Sequence, residues 1–280
     1  MLGALIIVFR EAIEAGIIVG VVLAATKGAP GSRPTAAIGV AAGVLGASLV
    51  AAFAGALANA LEGVGQELFN AAILSLAVVM LAWHNVWMAR HGRALAADAR
   101  RLGEEVRSGA RPLFALGVVV AVAVMREGSE VALFLYGLVA AGGTTAGELL
   151  LGSALGLAAG VLISAATYFG LTAIPARRLF GVTSALISFL AAGLACQAAN
   201  FLQQAGVAPW LADTAWDTSS ILSDTSLIGR VLHTLVGYAD QPSQLQALVY
   251  AATLAAIFAL SRTFAPRAAA PRPAAAGEMS

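Results

Sequence analysis

Hydrophobic runs of 18 or more residues recur along the whole of this 280-residue chain. Each run is long enough to cross a bilayer as an α-helix, because roughly 20 residues span a hydrocarbon core about 30 Å thick. The chain is 60% hydrophobic and 11% charged, and a soluble domain with that balance would expose far too much apolar surface to water. The sequence therefore predicts an all-α integral membrane protein.

The predicted membrane domain covers residues 1–262 and contains seven transmembrane helices. They are placed at 2–25, 36–58, 69–89, 113–141, 149–171, 182–204 and 245–262. The first run lacks a basic leader and a clear cleavage site, so it is expected to remain as a span.

The seven helices are predicted to form two halves, roughly 1–89 and 113–204, followed by an outer loop at 205–244 and the last helix. The outer loop is apolar enough to predict an interfacial or partly buried helix at roughly 225–237. Residues 263–280, rich in Ala, Pro and Arg, are predicted to be a disordered cytoplasmic tail.

Charged residues divide the connections between these helices into two classes. Thirteen of the sixteen basic residues lie on alternate connections or in the tail: Lys27, Arg33, Arg90, Arg93, Arg100, Arg101, Arg107, Arg111, Arg177, Arg178, Arg262, Arg267 and Arg272. The opposite connections hold one arginine and seven acidic residues: Glu62, Glu67, Glu148, Asp213, Asp217, Asp224 and Asp240. Because cytoplasmic loops carry the excess of Lys and Arg, the N-terminus is predicted outside and the C-terminus in the cytoplasm. The chain is expected to be a multi-pass protein of the cytoplasmic (inner) membrane, in contact with lipid and not with nucleic acid.

A short charged motif occurs twice, 116 residues apart. The first predicted helix contains Arg-Glu-Ala-Ile-Glu at 10–14, and the fourth contains Arg-Glu-Gly-Ser-Glu at 126–130. Small residues four apart also recur in the second and fifth helices, where they allow close helix packing. Since each half has three helices, the second half would run inverted relative to the first, which is a transporter architecture. The sequence predicts two inverted three-helix repeats plus a seventh helix.

Both motifs are predicted to lie near the middle of the membrane. At 1.5 Å per residue, Glu14 is roughly 18 Å along the first helix and Glu130 roughly 27 Å along the fourth. Arg10 and Arg126 can each pair with the glutamate four residues later. Four carboxylates and two guanidiniums carry −2 when ionised, and the surplus requires a cation; oxygen ligands favour a hard metal ion. The alternative is two salt bridges that only stabilise the bundle, although ion pairs buried for stability alone contribute little.

These motifs resemble the mark of the high-affinity iron permeases, the membrane subunits of fungal ferroxidase-coupled uptake and of bacterial Efe-type systems. The likeness continues through Glu62-Gly-Val-Gly-Gln-Glu67-Leu-Phe, the Trp83/Trp87 region and segments of 216–243. It implies inward transport of iron as substrate, without a prosthetic group and without enzymatic activity. It also implies extracytoplasmic partner proteins that oxidise or deliver iron.

The same resemblance implies roles for individual residues. Glu11, Glu14, Glu127 and Glu130 are the expected ligands, supported by Arg10 and Arg126. Glu62 and Glu67 are expected to capture the ion at the outer surface. The ligand chemistry leaves another hard divalent ion such as Mn²⁺ open, and the sequence does not distinguish Fe²⁺ from Fe³⁺. An intramembrane metalloenzyme is the alternative from another class, but a di-iron site requires Glu-x-x-His pairs and both motifs end in glutamate.

Three further features were interpreted from the sequence. His84 is either a ligand or proton acceptor, or, as is commoner for a lone histidine, a hydrogen-bonded packing residue. Gln197, Asn200 and Gln204 share one face of the sixth helix and either line a pathway or bond between helices. Trp83, Trp87, Trp210 and Trp216 are expected to be interfacial anchors.

Overall fold

The computed structural model describes residues 1–60, 65–142, 144–170 and 176–263, and these residues form eight helices. The helices are α1 Leu2–Ala25, α2 Ser32–Ala60, α3 Gln66–Arg107, α4 Leu113–Ala140, α5 Ala146–Tyr168, α6 Ala176–Gln204, α7 Leu227–Val236 and α8 Gln244–Thr263. Of the predicted tail, residues 264–280 lie outside the described residues. The prediction of an all-helical membrane protein is confirmed, and α7 falls within the segment predicted to be an interfacial helix.

Five of the described helices are long and apolar enough to cross a membrane: α2, α3, α5, α6 and α8. The other two long helices, α1 and α4, have similar lengths of 24 and 28 residues. Each carries the three charged residues of one motif near its middle, and these charges interrupt an otherwise apolar helix. The charged motifs thus lie where a bilayer would tolerate them least unless they are buried in protein.

Helix α3 is much longer than its apolar part. Its apolar part, Gln66–Met88, agrees with the predicted span, but the helix continues to Arg107 through the segment that was expected to be a basic loop. Its 42 residues extend roughly 63 Å, about twice the thickness of a hydrocarbon core. The extension consists mostly of good helix formers (Ala, Arg, Leu and Glu), and Arg101 pairs with Glu105 one turn later at 3.2 Å. Hydropathy finds the end of the apolar segment, not the end of the helix.

The glycines of α5 set the packing of α5 against α1. A Cβ at Gly156 would lie 2.5 Å from the carbonyl oxygen of Leu5 and 3.0 Å from the nitrogen of Phe9. Gly152 and Gly160 approach the α1 backbone in the same way, near Met1 and Phe9. The two helices therefore run parallel in backbone contact, as small residues allow.

The glycines of α2 play the same part against α4. A Cβ at Gly43 would lie 2.7 Å from the carbonyl oxygen of Ala121, and one at Gly39 would lie 2.6 Å from that of Gly117. Helix α3 packs antiparallel to α6, where Asn85 donates to the Ser188 hydroxyl at 3.0 Å. The helices that carry the motifs, α1 and α4, also contact each other and α3.

Two hydrophobic clusters occupy the two ends of this bundle. One contains Ile7 of α1, Leu74 and Leu81 of α3, and Phe134 and Leu138 of α4. The other is formed by Val22 of α1, Ala36 of α2, Ala99, Leu102 and Val106 of α3, and Leu116 and Val120 of α4. On α1, α3 and α4 alike, the charged motifs and His84 lie between the two clusters. The fold therefore encloses a polar layer between two apolar ones.

The segment between α6 and α8 is held by polar contacts of its own. Asp217 accepts hydrogen bonds from the Ser219 hydroxyl at 2.6 Å, the Ser219 amide at 3.0 Å and the Gln241 side chain at 3.0 Å. These hydrogen bonds hold the pKa of Asp217 below its ordinary value. Asp240 in turn accepts from the Asp224 amide. These aspartates organise the loop.

Candidate metal site

Side chains of both motifs meet in the layer between the two hydrophobic clusters. Ligand atoms of Glu11, His84, Glu127 and Glu130 all lie within 4.8 Å of one another. Glu14 also reaches the group, since its Oε2 is 3.4 Å from His84 Nε2. The α1 motif, the α4 motif and α3 thus contribute to a single cluster of five ionisable side chains.

The two arginines hold their own motifs in place. Arg10 Nε lies 3.0 Å from Glu14 Oε1, and Arg126 Nε lies 3.1 Å from Glu130 Oε1. These are the i,i+4 pairs expected from the sequence. Each arginine also contacts the other glutamate of its motif, at 3.5 Å for Glu11 and 3.9 Å for Glu127. Two of the four carboxylates are therefore paired closely, and the other two only loosely.

Most of the cluster is removed from solvent. Arg10 and Glu11 are each 1% exposed, Glu127 is 2% and His84 is 4% exposed. Burying carboxylates at this depth is costly unless their oxygens are paired. Yet Glu11 Oε2 and Glu127 Oε2 are buried and accept no hydrogen bond from a described residue. Two buried carboxylate oxygens that accept no hydrogen bond from a described residue, one of them 3.6 Å from His84 Nε2, are what a cation would satisfy.

His84 links the two motifs. Its Nε2 faces the α1 carboxylates, at 3.6 Å from Glu11 Oε2, while its Nδ1 contacts Glu130 Oε2 of α4. The interpretation of His84 as a packing residue is therefore less apt than the alternative of a ligand or proton acceptor. Its sequence neighbour Asn85 points the other way and bonds to α6. No local pattern around position 84 indicated which of the two faces the motifs.

Trp87 lies one turn below His84 on the same helix and differs from the expectation of an interfacial anchor. The guanidinium of Arg126 lies 4.3 Å from the centre of its indole ring, in a cation–π contact. His91 stacks on the same indole, with ring centres 4.7 Å apart. Trp83 and Trp210, by contrast, are 70% and 60% exposed. Trp87 of α3 therefore supports the second arginine, Arg126, which also pairs with Glu130.

Of the two carboxylates expected to capture the ion, Glu67 stands apart from the cluster. Glu67 is exposed in the first turn of α3, and it precedes His84 by 17 positions, which correspond to roughly 26 Å along the helix. Glu62 lies outside the described residues. On α6, the Cys196 thiol donates to the Gln246 carbonyl of α8 at 3.2 Å, so this sulfur is engaged in helix packing.

Comparison with known proteins agrees with the resemblance found in the motifs. The iron permease FTR1 family matches residues 1–266 of this chain. A Yersinia pestis protein named ferrous iron permease EfeU is 32% identical over 186 residues, which are 66% of this chain and 65% of that protein. Proteins of the same name from Shigella flexneri and Escherichia coli O6:K15:H31 (strain 536 / UPEC) are each 33% identical over 187 residues, 66% of this chain and 78% and 67% of theirs.

The aligned part of the chain spans slightly less than two thirds of the Yersinia protein. No solved structure matches the chain. Because the family match runs from the first residue to residue 266 and includes both charged motifs, this chain belongs to the iron permease FTR1 family.

Proposed function

We propose that this protein imports iron across the cytoplasmic membrane by binding it between the two Arg-Glu-x-x-Glu motifs. The observation that carries the proposal is the convergence of Glu11, Glu127, Glu130 and His84 to within 4.8 Å in a buried layer. The motifs are 116 residues apart in the chain, so their meeting is a property of the fold. An ion at this point would be ligated from α1, α3 and α4 at once.

The donor set favours iron over the harder ions. Carboxylates alone accept Mg²⁺, Ca²⁺ and Mn²⁺, whereas imidazole suits Fe, Ni, Cu and Zn. With a neutral His84, the four glutamates and two arginines carry −2, so Fe²⁺ would leave the buried site neutral. Neutrality is favoured where the dielectric is low. The names of the Yersinia, Shigella and Escherichia relatives specify ferrous iron, and we extend this to the present chain.

The metalloenzyme alternative receives less support. A di-iron carboxylate centre takes Glu-x-x-His from each of two helices. Here the imidazole of the cluster comes from a third helix, and each motif ends in a glutamate that is paired with an arginine. Among the described residues, no second histidine joins the cluster.

The packing of the helices supports two inverted repeats within a seven-span domain. Gly43 of α2 meets the carbonyl of Ala121 in α4, and Gly156 of α5 meets the carbonyl of Leu5 in α1. Leu5 and Ala121 are 116 residues apart, the same offset as the two motifs. The first helix of each half therefore packs on the second helix of the other half at equivalent positions. This is the relation that an inverted repeat produces around a central site.

The remaining parts of the proposal follow from the distribution of charge. The basic connections are placed in the cytoplasm, and the α6–α8 loop is placed outside. Glu62 and Glu67 would collect the ion on the outer side, where iron-oxidising or iron-delivering partner proteins would act. Iron is the cargo in this proposal, and both arginines are supports that hold the carboxylates apart while the site is empty.

Uptake of radioactive iron by cells that express single Glu→Gln variants tests the proposal. The variants are Glu11→Gln, Glu14→Gln, Glu127→Gln and Glu130→Gln, because glutamine keeps the shape and removes the charge. We expect each to lower uptake by about tenfold or more, the size of loss that follows when a metal site is perturbed. Glu104→Gln, an exposed carboxylate on the α3 extension, serves as the matched control and is expected to transport normally.

Membrane insertion is measured in parallel, so that loss of protein is separated from loss of transport. Binding of iron by the purified protein in detergent is the second measurement, and the double variant Glu14→Gln with Glu130→Gln is expected to lose it. If all four single variants carry iron at the parental rate, the carboxylates are structural and the proposal is wrong.

A further inference from the structure

One face of α3 carries a metal-binding type of side chain at every seventh residue below the site. These residues are His84, His91, Asp98 and Glu105. Seven residues make nearly two helical turns, so successive members are about 10.5 Å apart and drift by only about 20° around the helix. The series starts in the metal cluster and ends two residues before the end of α3. It therefore follows the extension of α3 away from the centre of the membrane.

A cavity of about 430 Å³ lies along the lower part of this face, between α3 and α4. Its α3 wall includes Asp98 and Glu105, and its α4 wall includes Val119, Ala123 and Glu127. Ile18, one turn beyond Glu14 on α1, also lines it. The cavity has room for several water molecules, so it could hold a hydrated ion. It begins where the motif cluster ends.

Glu127 belongs to both the metal cluster and the cavity wall. It is 2% exposed, and its Oε2 accepts no hydrogen bond from a described residue. Its neighbour Arg126 also lines the cavity and is drawn aside onto Trp87, on which His91 stacks. The guanidinium of Arg126 is thereby held between the Trp87 ring and its ion-pair partner Glu130. The carboxylate of Glu127 is then the group that connects the metal cluster to the cavity.

The two carboxylates at the far end of the cavity differ in their partners. Glu105 is held by Arg111 at 2.8 Å and by Arg101 at 3.2 Å, which tie the turn before α4 to α3. Asp98 is exposed and forms no ion pair with a described side chain. Asp98 is therefore the carboxylate on this face that is free to attract a cation. It lies 14 residues below His84, roughly 21 Å along the helix.

We propose that the cavity between α3 and α4 is the exit route of the permease, in which iron passes from Glu127 to Asp98 before it reaches the cytoplasm. The inference rests on the proposed function of the Glu/His cluster. It goes beyond that function by assigning a path and a second cation-attracting position on the extension of α3. It also gives that extension a reason to be longer than a membrane span.

Thiol accessibility tests the route without any transport measurement. Ala123→Cys is made in a Cys196→Ala background and treated with a membrane-impermeant thiol reagent, in right-side-out and in inside-out vesicles. We expect modification in inside-out vesicles only, because Ala123 lines the cavity one turn below Glu127. Ala158→Cys, on the exposed face of α5, is the matched control and is expected to react from neither side. Modification of position 123 from the outside, or from neither side, would overturn the route.

Uptake and binding measured together test the role of Asp98. Asp98→Asn is expected to lower iron uptake into cells by about tenfold. The variant removes the one lining carboxylate that has no ion pair with a described side chain, while Arg101, Arg111 and Arg126 remain in the lining. Iron binding by the same variant in detergent should match the parent, because the midplane ligands are intact. Glu104→Gln, on the same turn as Glu105 but away from the cavity, should match the parent in both measurements.

A bulky substitution in the cavity gives an independent test of the same route. Ala123→Trp is expected to retain iron binding and to abolish uptake, while Ala158→Trp keeps both. Parental uptake by both Asp98→Asn and Ala123→Trp would overturn the exit route and leave the central site standing. A parent chain that neither binds nor takes up iron would instead overturn the proposed function, together with the exit route that rests on it.

Discussion

His84 holds the central position among the residues of the site. One of its ring nitrogens faces Glu11 and Glu14 of α1, and the other contacts Glu130 of α4. Phe134 lies edge-on to the imidazole, with ring centres 6.4 Å apart, and restricts the ring from the apolar side. A neutral imidazole can donate to only one of the two motifs, whereas a protonated imidazole can donate to both. His84 thereby contacts both motifs, and in the proposed function it contributes a nitrogen to the ligand set.

Replacing His84 with glutamine tests that role at the residue scale. We expect His84→Gln to weaken Fe²⁺ binding by roughly 10-fold or more, and to weaken Mn²⁺ binding less, because imidazole favours iron while carboxylates accept manganese. Isothermal titration of the purified protein with each ion measures both affinities. His233→Gln, in α7, is the control histidine and should leave both unchanged. Equal losses for the two ions would show that His84 does not select the metal.

At the scale of secondary structure elements, glycines position the helix pairs. Along α5, Gly152, Gly156 and Gly160 bring the α1 backbone into contact, and this contact fixes the rotation of α1 about its axis. The rotation decides whether Glu11 and Glu14 point toward α3 and α4 or toward α5. The small residues of α5 therefore affect the position of the Glu/His cluster without touching it.

Gly156→Ala tests this dependence. The added methyl group would overlap the Leu5 carbonyl oxygen, and overpacking of this kind costs about 1–3 kcal/mol. We expect a lower unfolding temperature in detergent and weaker iron binding. Gly147→Ala is the matched control on the same helix, since a Cβ there meets nothing within 4 Å. Unchanged stability in Gly156→Ala would show that α1 and α5 can separate without cost.

The molecule as a whole is arranged as a charged layer between two apolar clusters. The cluster around Leu74 and Phe134 closes one end of the bundle above the site. At the other end, the cluster around Val22 and Leu102 is bordered by the cavity between α3 and α4. A cavity beside the cluster around Val22 and Leu102 suits a protein that releases its cargo toward the α3 extension. The direction of transport then depends on which side of the membrane that extension occupies.

Cysteine labelling of intact cells determines the orientation of the whole molecule. In a Cys196→Ala background, Arg100→Cys on the α3 extension should be protected from an impermeant thiol reagent until the cells are opened. Ser220→Cys, exposed in the α6–α8 loop, should react in intact cells. The excess of Lys and Arg on the connections grouped with residue 100 is the physical basis for this expectation. Labelling of position 100 from outside would reverse the assigned topology.

Local properties of the sequence were sufficient for the helices, the motifs and the family. Apolar runs of membrane length define helices because backbone polar groups must be satisfied within each helix in lipid. The spacing of Arg10 and Glu14, and of Arg126 and Glu130, predicts their i,i+4 ion pairs for the same local reason, and both pairs are present. The motifs also carried the resemblance to the iron permeases, which the family match confirms.

Tertiary structure alone decided which residues join the cluster formed by the two motifs. His84 and Asn85 are adjacent polar residues in one apolar run, and only the packing of α3 between α1, α4 and α6 turns the first toward the motifs and the second toward Ser188. Trp87 is a tryptophan near the end of an apolar segment, as interfacial anchors are, but its indole ring lies against the guanidinium of Arg126. Helix α3 continues to Arg107, and its extension packs on the ends of α1 and α4. Each of these outcomes depends on contacts between residues distant in the chain, and hydropathy and spacing carry no information about such contacts.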